Sequence, residues 1–163
     1  MDRPDDGIRR FQPGDEVAVA DVWHRAGRAA YPYLPSWQTF EEHEARRVFR
    51  EVILARCDLY VGERHARVVA FMAMRDACVD RLYVDPTEQR RGWGTRLVEL
   101  AKRRQPGGLS LHTHQQNHVG RRFYEKHGFR AVRFGISPAP ESAPDVEYRW
   151  SPDGARESST ARD

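Results

Sequence analysis

Apolar residues recur at three and four between Glu16 and Ala30. Val19, Val22, Trp23, Ala26 and Ala30 form one stripe, which predicts an amphipathic helix with that stripe buried. Pro13-Gly14 breaks the chain just before it, Asp15 stands where an N-cap belongs, and residues 8–11 read as a short strand. The run Tyr31-Pro32-Tyr33-Leu34-Pro35-Ser36-Trp37 stops the helix, because proline lacks the N–H and pushes its predecessor out of the helical region. Thr39 followed by Glu42 has the spacing of a capping box, and Phe49, Val52 and Ile53 supply the inner face of a second helix ending near residue 55.

Beyond residue 57 the period shortens. Residues 58–63 and 66–75 are rich in valine, tyrosine and phenylalanine and flank the polar Arg64-His65, the pattern of an antiparallel hairpin. A further strand at 78–84 closes on Asp85-Pro86. Gln89-Arg90-Arg91-Gly92-Trp93-Gly94 then opens a helix that turns Leu97, Val98 and Ala101 inward and runs to Arg104, where Pro106-Gly107-Gly108 follows. Strands at 109–113, 130–134 and 146–150 enclose a shorter helix over 119–127 that stops at Gly128. The order β-α-α-β-β-β-α-β-α-β-β predicts an α/β fold with a central mixed sheet of about six or seven strands and helices on both faces.

Length and charge narrow this further. The chain has 163 residues, 27 Lys+Arg against 24 Asp+Glu, and a formal charge of +3. That suits one domain over residues 1–150, with a loose polar tail at 151–163. Apart from Lys102 and Lys126 every basic residue is arginine, scattered in pairs such as Arg46-Arg47 and Arg121-Arg122 among acidic residues. A nucleic-acid stripe would concentrate them, so nucleic acid is not expected as a partner. No run approaches the roughly 18 apolar residues of a membrane span, nor does the N-terminal stretch carry a signal core, so a cytoplasmic protein without membrane attachment is expected. Cys57 and Cys78 fall in strand-like apolar runs and read as small buried hydrophobes, which sets aside disulfides and a thiolate-held zinc.

The segment with chemical content is Leu82-Tyr83-Val84 followed by Gln89-x-x-Gly92-x-Gly94 and a helix. Glycines at a helix mouth let backbone N–H groups approach a ligand, and the helix dipole favours an anion there. The spacing is not that of a dinucleotide fingerprint, since Leu97 stands where a third small residue belongs, and no Walker Gly-Lys-Ser/Thr is present. His112 and His114 alternate on one strand, with His118 beyond, but no carboxylate or cysteine stands at a ligand spacing, so no metal is expected.

Together with Asn117 and Phe123-Tyr124-Glu125-Lys126-His127-Gly128-Phe129, these motifs resemble the GNAT superfamily of N-acetyltransferases. Gln89-Arg90-Arg91-Gly92-Trp93-Gly94-Thr95 is similar to that family's pyrophosphate loop, and Val79, Leu82, Val84 and Pro86 to the strand preceding it. The resemblance covers residues 58–135. It implies a GNAT-like sheet and acetyl transfer from acetyl-CoA, as co-substrate, to a primary amine by direct attack in a ternary complex. A small-molecule amine is the expected acceptor. A protein amine, or a lapsed CoA-binding regulatory module, are the alternatives, and a homodimer is compatible with the family.

The resemblance also assigns residues. Arg90, Arg91, Gly92, Trp93, Gly94 and Thr95, with Gln89, would hold the pyrophosphate. Leu82, Tyr83 and Val84 would pair with the pantetheine amide and the thioester carbonyl. Asn117 and Phe123 would pack on the cofactor. Tyr124 matches the position that protonates the departing thiolate, while packing alone is its other reading. For removal of the amine proton the candidates are Asp80, which shares strand parity with Leu82 and Val84, and His112. Trp23, Tyr31, Tyr33, Trp37 and Phe40 crowd the acceptor side, where aromatic faces suit an ammonium and equally suit a core.

Overall fold

The computed structural model describes residues 7–154, and the tail expected to be loose lies outside them from residue 155. Its elements are β1 (Gly7–Arg10), a 3-10 turn (Pro13–Asp15), α1 (Glu16–Ala30), α2 (Pro35–Gln38), and α3 (Glu42–Val48) continued by a π-helical turn (Phe49–Leu54). Then come β2 (Asp58–Arg64), β3 (Arg67–Arg75), β4 (Cys78–Val84), a 3-10 turn (Pro86–Glu88), α4 (Trp93–Arg104), β5 (Leu109–His114), α5 (His118–Lys126), β6 (Arg130–Ile136) and β7 (Pro144–Trp150). The strands form one mixed sheet in the order β1-β2-β3-β4-β5-β7-β6.

Two apolar layers sandwich that sheet. Val19, Val22 and Trp23 of α1 pack with Phe49 and Ile53 against Phe71 and Ala73 on one face. Leu97, Val98 and Ala101 of α4 pack against Met72, Leu111, Val146 and Tyr148 on the other. β3 lies between both layers, which is why Val69 to Met74 is buried without interruption and its sequence shows no alternation. Each fully buried large side chain contributes about 1.5–3 kcal/mol, so truncating Phe71 would cost about 3–5 kcal/mol. A glycine at 27 is required by packing. A Cβ there would stand 2.2 Å from the Trp37 ring, so only glycine lets α2 close onto α1.

Some local expectations give way. Asp15 does not cap α1 with its side chain. Its buried carboxylate instead accepts from the Arg9 guanidinium (2.7 Å) and the Gln12 N–H (2.8 Å), capping the preceding 3-10 turn. The Thr39/Glu42 capping box does not form either. Thr39 Oγ1 donates to the Pro35 carbonyl, leaving Glu41 at the N-cap of α3 with no side-chain bond. The proline-rich bend contains a helical turn of its own, with Pro35 at its first position, where a missing N–H costs nothing.

Two irregularities in β4 position the site. Its pairing with β3 passes from Ala73↔Arg81 to Met74↔Val79, so Asp80 is the extra residue of a bulge. Val79 therefore shares a face with Leu82 and Val84, while Tyr83 packs in the α1 layer and Arg81 stacks over Trp23. The parity assumed for Asp80 does not hold, and it turns toward Cys57 on the α1 side. On its other edge β4 pairs in parallel with β5 only at Cys78↔Ser110, and beyond that point the strands part.

Candidate active site

The parting of β4 and β5 opens a cleft of about 810 Å³ lined by residues from both faces of the sheet. Leu82, Val84, Thr113, Asn117, Phe123 and Tyr124 come from the α4/α5 side, and Tyr31, Arg81, Tyr83 and His112 from the α1 side. The opening thus runs through the sheet, giving two ligands separate entries to one meeting point. Because β5 has left, the β4 backbone beyond residue 78 offers a free edge for strand-like pairing. Gln89 Nε2 donates to the Val84 carbonyl at the end of that edge (3.3 Å).

At one end of the cleft lies the N-terminus of α4. Arg96 N–H to Gly92 O is the first bond of the helix, so the N–H groups of Trp93, Gly94 and Thr95 have no acceptor within it. Gly92 turns the chain in with φ of 87°, and a Cβ on it would meet nothing within 4 Å, so the approach is open. Free donors, a helix dipole and open space fit a pyrophosphate. Trp93 is buried against Gly62, so it anchors the helix end through the sheet. Arg91 does not line the cleft and lies 3.5 Å from Glu88.

Carboxylates hold this loop from behind, a feature the sequence reading did not pick out. Asp85, 4% exposed, accepts from Thr87 N–H (3.0 Å), Thr87 Oγ1 (2.8 Å) and the Arg25 guanidinium of α1 (2.6 Å). Burial pushes its pKa up, but the Arg25 and Thr87 hydrogen bonds outweigh that and leave it below the usual carboxylate range. Glu88 pairs with Arg64 of β2 at 2.9 Å. The Asp-Pro-Thr turn was the available signal for Asp85, whereas Arg25 is joined to it only by the fold.

Tyr124 sits in α5 between Phe123, Phe129 and Tyr148, its ring partly buried and lining the cleft. Its hydroxyl has no hydrogen-bond partner among the described residues. Burial, and then the neighbouring Tyr83, raise its pKa well above the ordinary phenol value, so it arrives protonated. Asn117 bonds within the fold, accepting from Gly120 N–H (3.1 Å) and donating to Thr113 Oγ1 (3.0 Å), and so caps α5. Phe123 packs over Gly94, where a Cβ would stand 3.1 Å from its ring.

The two expected proton acceptors fare differently. Asp80 lines the cleft but is ion-paired with Arg81 and stands 3.9 Å from Arg75. His112 lines it with an exposed side chain and no partner among the described residues. Cys57, hydrogen-bonded to Asp80, is pushed up to about 11 by burial and by that carboxylate's charge, so it is a thiol and a poor nucleophile. Among the described residues no three His, Cys, Asp or Glu side chains are grouped to hold a metal, and no helix is long and apolar enough to cross a membrane.

Known proteins share this fold. Residues 55–131 match the family model described as Acetyltransferase (GNAT) domain. The chain is 25% identical over 128 residues to the peptidyl-lysine N-acetyltransferase YiaC of Escherichia coli, covering 77% of this chain and 84% of that one. The solution structure of apo YjaB from Escherichia coli superposes with a TM-score of 0.74 at 25% identity, over 88% of this chain and 95% of that one. The PaiA N-acetyltransferase of Thermoplasma acidophilum, solved in complex with coenzyme A, shares the fold at a TM-score of 0.64 and 20% identity, over 88% and 97%. Residues 55–131 thus carry the features of a GNAT acetyltransferase domain, and the N-acetyltransferase relatives support an acetyl-CoA-dependent acyltransferase.

Proposed function

We propose that this enzyme acetylates the ε-amine of lysine in polypeptides. The observation that carries the site assignment is the cleft between β4 and β5, which holds the free N–H groups of α4 at one end and the unpartnered Tyr124 hydroxyl in its wall. The lysine assignment is supported by the relative YiaC, named a peptidyl-lysine N-acetyltransferase.

In this reading the N–H groups of Trp93, Gly94 and Thr95 hold the pyrophosphate, and the β4 edge from Leu82 to Val84 aligns the pantetheine arm. A β4 N–H donates to the thioester oxygen as charge develops on it, stabilising the transition state more than the ground state. His112 takes the amine proton, directly or through water, because Asp80 is already engaged by two arginines. The amine nitrogen bonds to the carbonyl carbon, the C–S bond breaks, and Tyr124 donates its proton to the sulfur. The second proton leaving the nitrogen restores the phenol through solvent, so one proton is released per turnover.

The test follows thiol release with acetyl-CoA and, in parallel, a peptide with blocked termini and one internal lysine, and a panel of small primary amines. Peptide acetylation with the higher kcat/KM supports the reading. Preference for a small amine overturns the lysine assignment, and no thiol release with any acceptor overturns the catalytic one.

A further inference from the structure

Behind Tyr31, which lines the α1 side of the cleft, lies a second set of polar groups that is not itself part of the lining and has none of the roles assigned above. Glu141, in the connection between β6 and β7, has its carboxylate 2.6 Å from His114 Nε2. A carboxylate only accepts, so Nε2 carries the hydrogen. Glu141 Oε1 also accepts from Trp37 Nε1 at 3.1 Å. Its side chain nevertheless remains 28% exposed, while His114 is 8% exposed. The rings of Tyr31 and Tyr33 stand edge-on to His114 at 4.7 and 6.4 Å, and the hydroxyl of Tyr31 lies 3.5 Å from that of Tyr83, in the cleft wall.

Charge separates Glu141 from the other carboxylates beside the cleft. Asp80 is matched by Arg81 and Arg75, Glu88 by Arg64 and Arg91, and Asp85 by Arg25. Glu141 touches no lysine or arginine among the described residues. Burial pushes its carboxyl up, yet His114 and Trp37, and more weakly the charge of Arg81, bring it below the usual range. The Tyr33 hydroxyl and His114 Nδ1 beside it are buried without a hydrogen-bond partner. An ionised carboxylate, oriented by two donors and partly exposed, beside a buried tyrosine hydroxyl and an imidazole nitrogen with hydrogen-bonding capacity left over, suits one class of ligand: a primary ammonium.

We infer that Glu141 is the recognition group for the acceptor, binding it as the ammonium before deprotonation, and that His114 and Trp37 are positioning residues that aim the carboxylate. This rests on the acetyltransferase reading above and adds the charge state in which the acceptor is selected. The cation enters from the α1 face between Glu141 and the tyrosines, loses its proton to His112, and meets the thioester where the sheet opens. An amine that is already neutral gains far less from Glu141, because its N–H is an uncharged donor.

The experiment compares two blocked peptides that differ at one residue, one carrying lysine, an ammonium at pH 7, and one a weakly basic primary-amine analogue of lysine that is neutral there, in the wild type and Glu141→Gln. Affinity for acetyl-CoA is measured by calorimetry in both. A charge-assisted bond lost to an amide should raise KM for the charged amine roughly 10- to 100-fold. KM for the neutral amine should rise far less, so that preference for the charged acceptor collapses while acetyl-CoA still binds. Unchanged preference in an active Glu141→Gln enzyme overturns the inference and leaves the acetyltransferase reading standing. Failure of the wild type to acetylate either amine overturns that reading instead. Should Glu141→Gln not fold, Glu141→Asp decides: retracting the carboxylate by one methylene must lower the same preference, and an unaltered ratio refutes the role.

Discussion

Replacing Asp85 by asparagine removes one charge and almost no volume from beneath the anion-binding loop. The amide oxygen can still accept from Thr87, so the loss is concentrated in the bond to Arg25 at 2.6 Å. A hydrogen bond between charged groups is worth about 1.5–3 kcal/mol, and because half of the Arg25 side chain is exposed, water recovers part of it. About 1–2 kcal/mol remains, which lowers Tm by about 2–8 °C in a domain of this size. The Asp85 pKa is depressed in the folded protein, so its contribution is complete above the unfolded carboxylate value near 4 and disappears as pH falls through the lower folded value. The difference in Tm between wild type and Asp85→Asn should therefore be full at pH 7 and narrow below about pH 4. Since the turn Pro86–Glu88 leads directly into the loop, acetyl-CoA affinity should weaken in parallel. Differential scanning calorimetry across pH, with titration calorimetry at pH 7, reads both quantities. Equal melting at pH 7 together with equal affinity would refute the idea that Asp85 preorganises the loop.

Other expectations follow from single contacts. Gly94→Glu drives a side chain toward Phe123 and places a negative charge at the α4 N-terminus, so acetyl-CoA affinity should fall at least about tenfold; a folded variant with unchanged affinity would remove the loop from the binding site. Gly27→Ala gains about 1 kcal/mol in helix propensity but forces Trp37 aside, for a net loss of about 1–2 kcal/mol by denaturant titration; a gain in stability would show that α2 yields freely. In His112→Ala the acidic limb of the kcat/KM profile should flatten, because a protonated imidazole cannot accept the amine's proton, and a limb identical to wild type would exclude His112 as the base.

Much of the architecture was legible because period and punctuation agree. The α1 stripe and β4 show their boundaries directly, and Gly92 and Gly94 mark the loop by their position alone. What escaped depends on events that pattern does not encode. One bulge residue turned Asp80 to the α1 face, so counting by twos misplaced it. The Asp15 and Thr39 motifs were genuine cap patterns outcompeted by Arg9 and by the Pro35 carbonyl. Glu141 is 27 residues from His114 and 104 from Trp37, so no local motif could join them. Asn117, read as a cofactor contact, does line the cleft, but its bonds to Gly120 and Thr113, which cap α5, are set by the fold.

The catalytic account turns on Tyr124, whose hydroxyl is the unengaged phenol proton in the cleft wall. Tyr124→Phe retains the ring packed among Phe123, Phe129 and Tyr148 and deletes that proton. Single-turnover acetyl transfer, which excludes product release, should slow about 10²- to 10⁴-fold while acetyl-CoA affinity is maintained. Transfer at the wild-type rate with binding intact would contradict the assignment and reduce Tyr124 to packing.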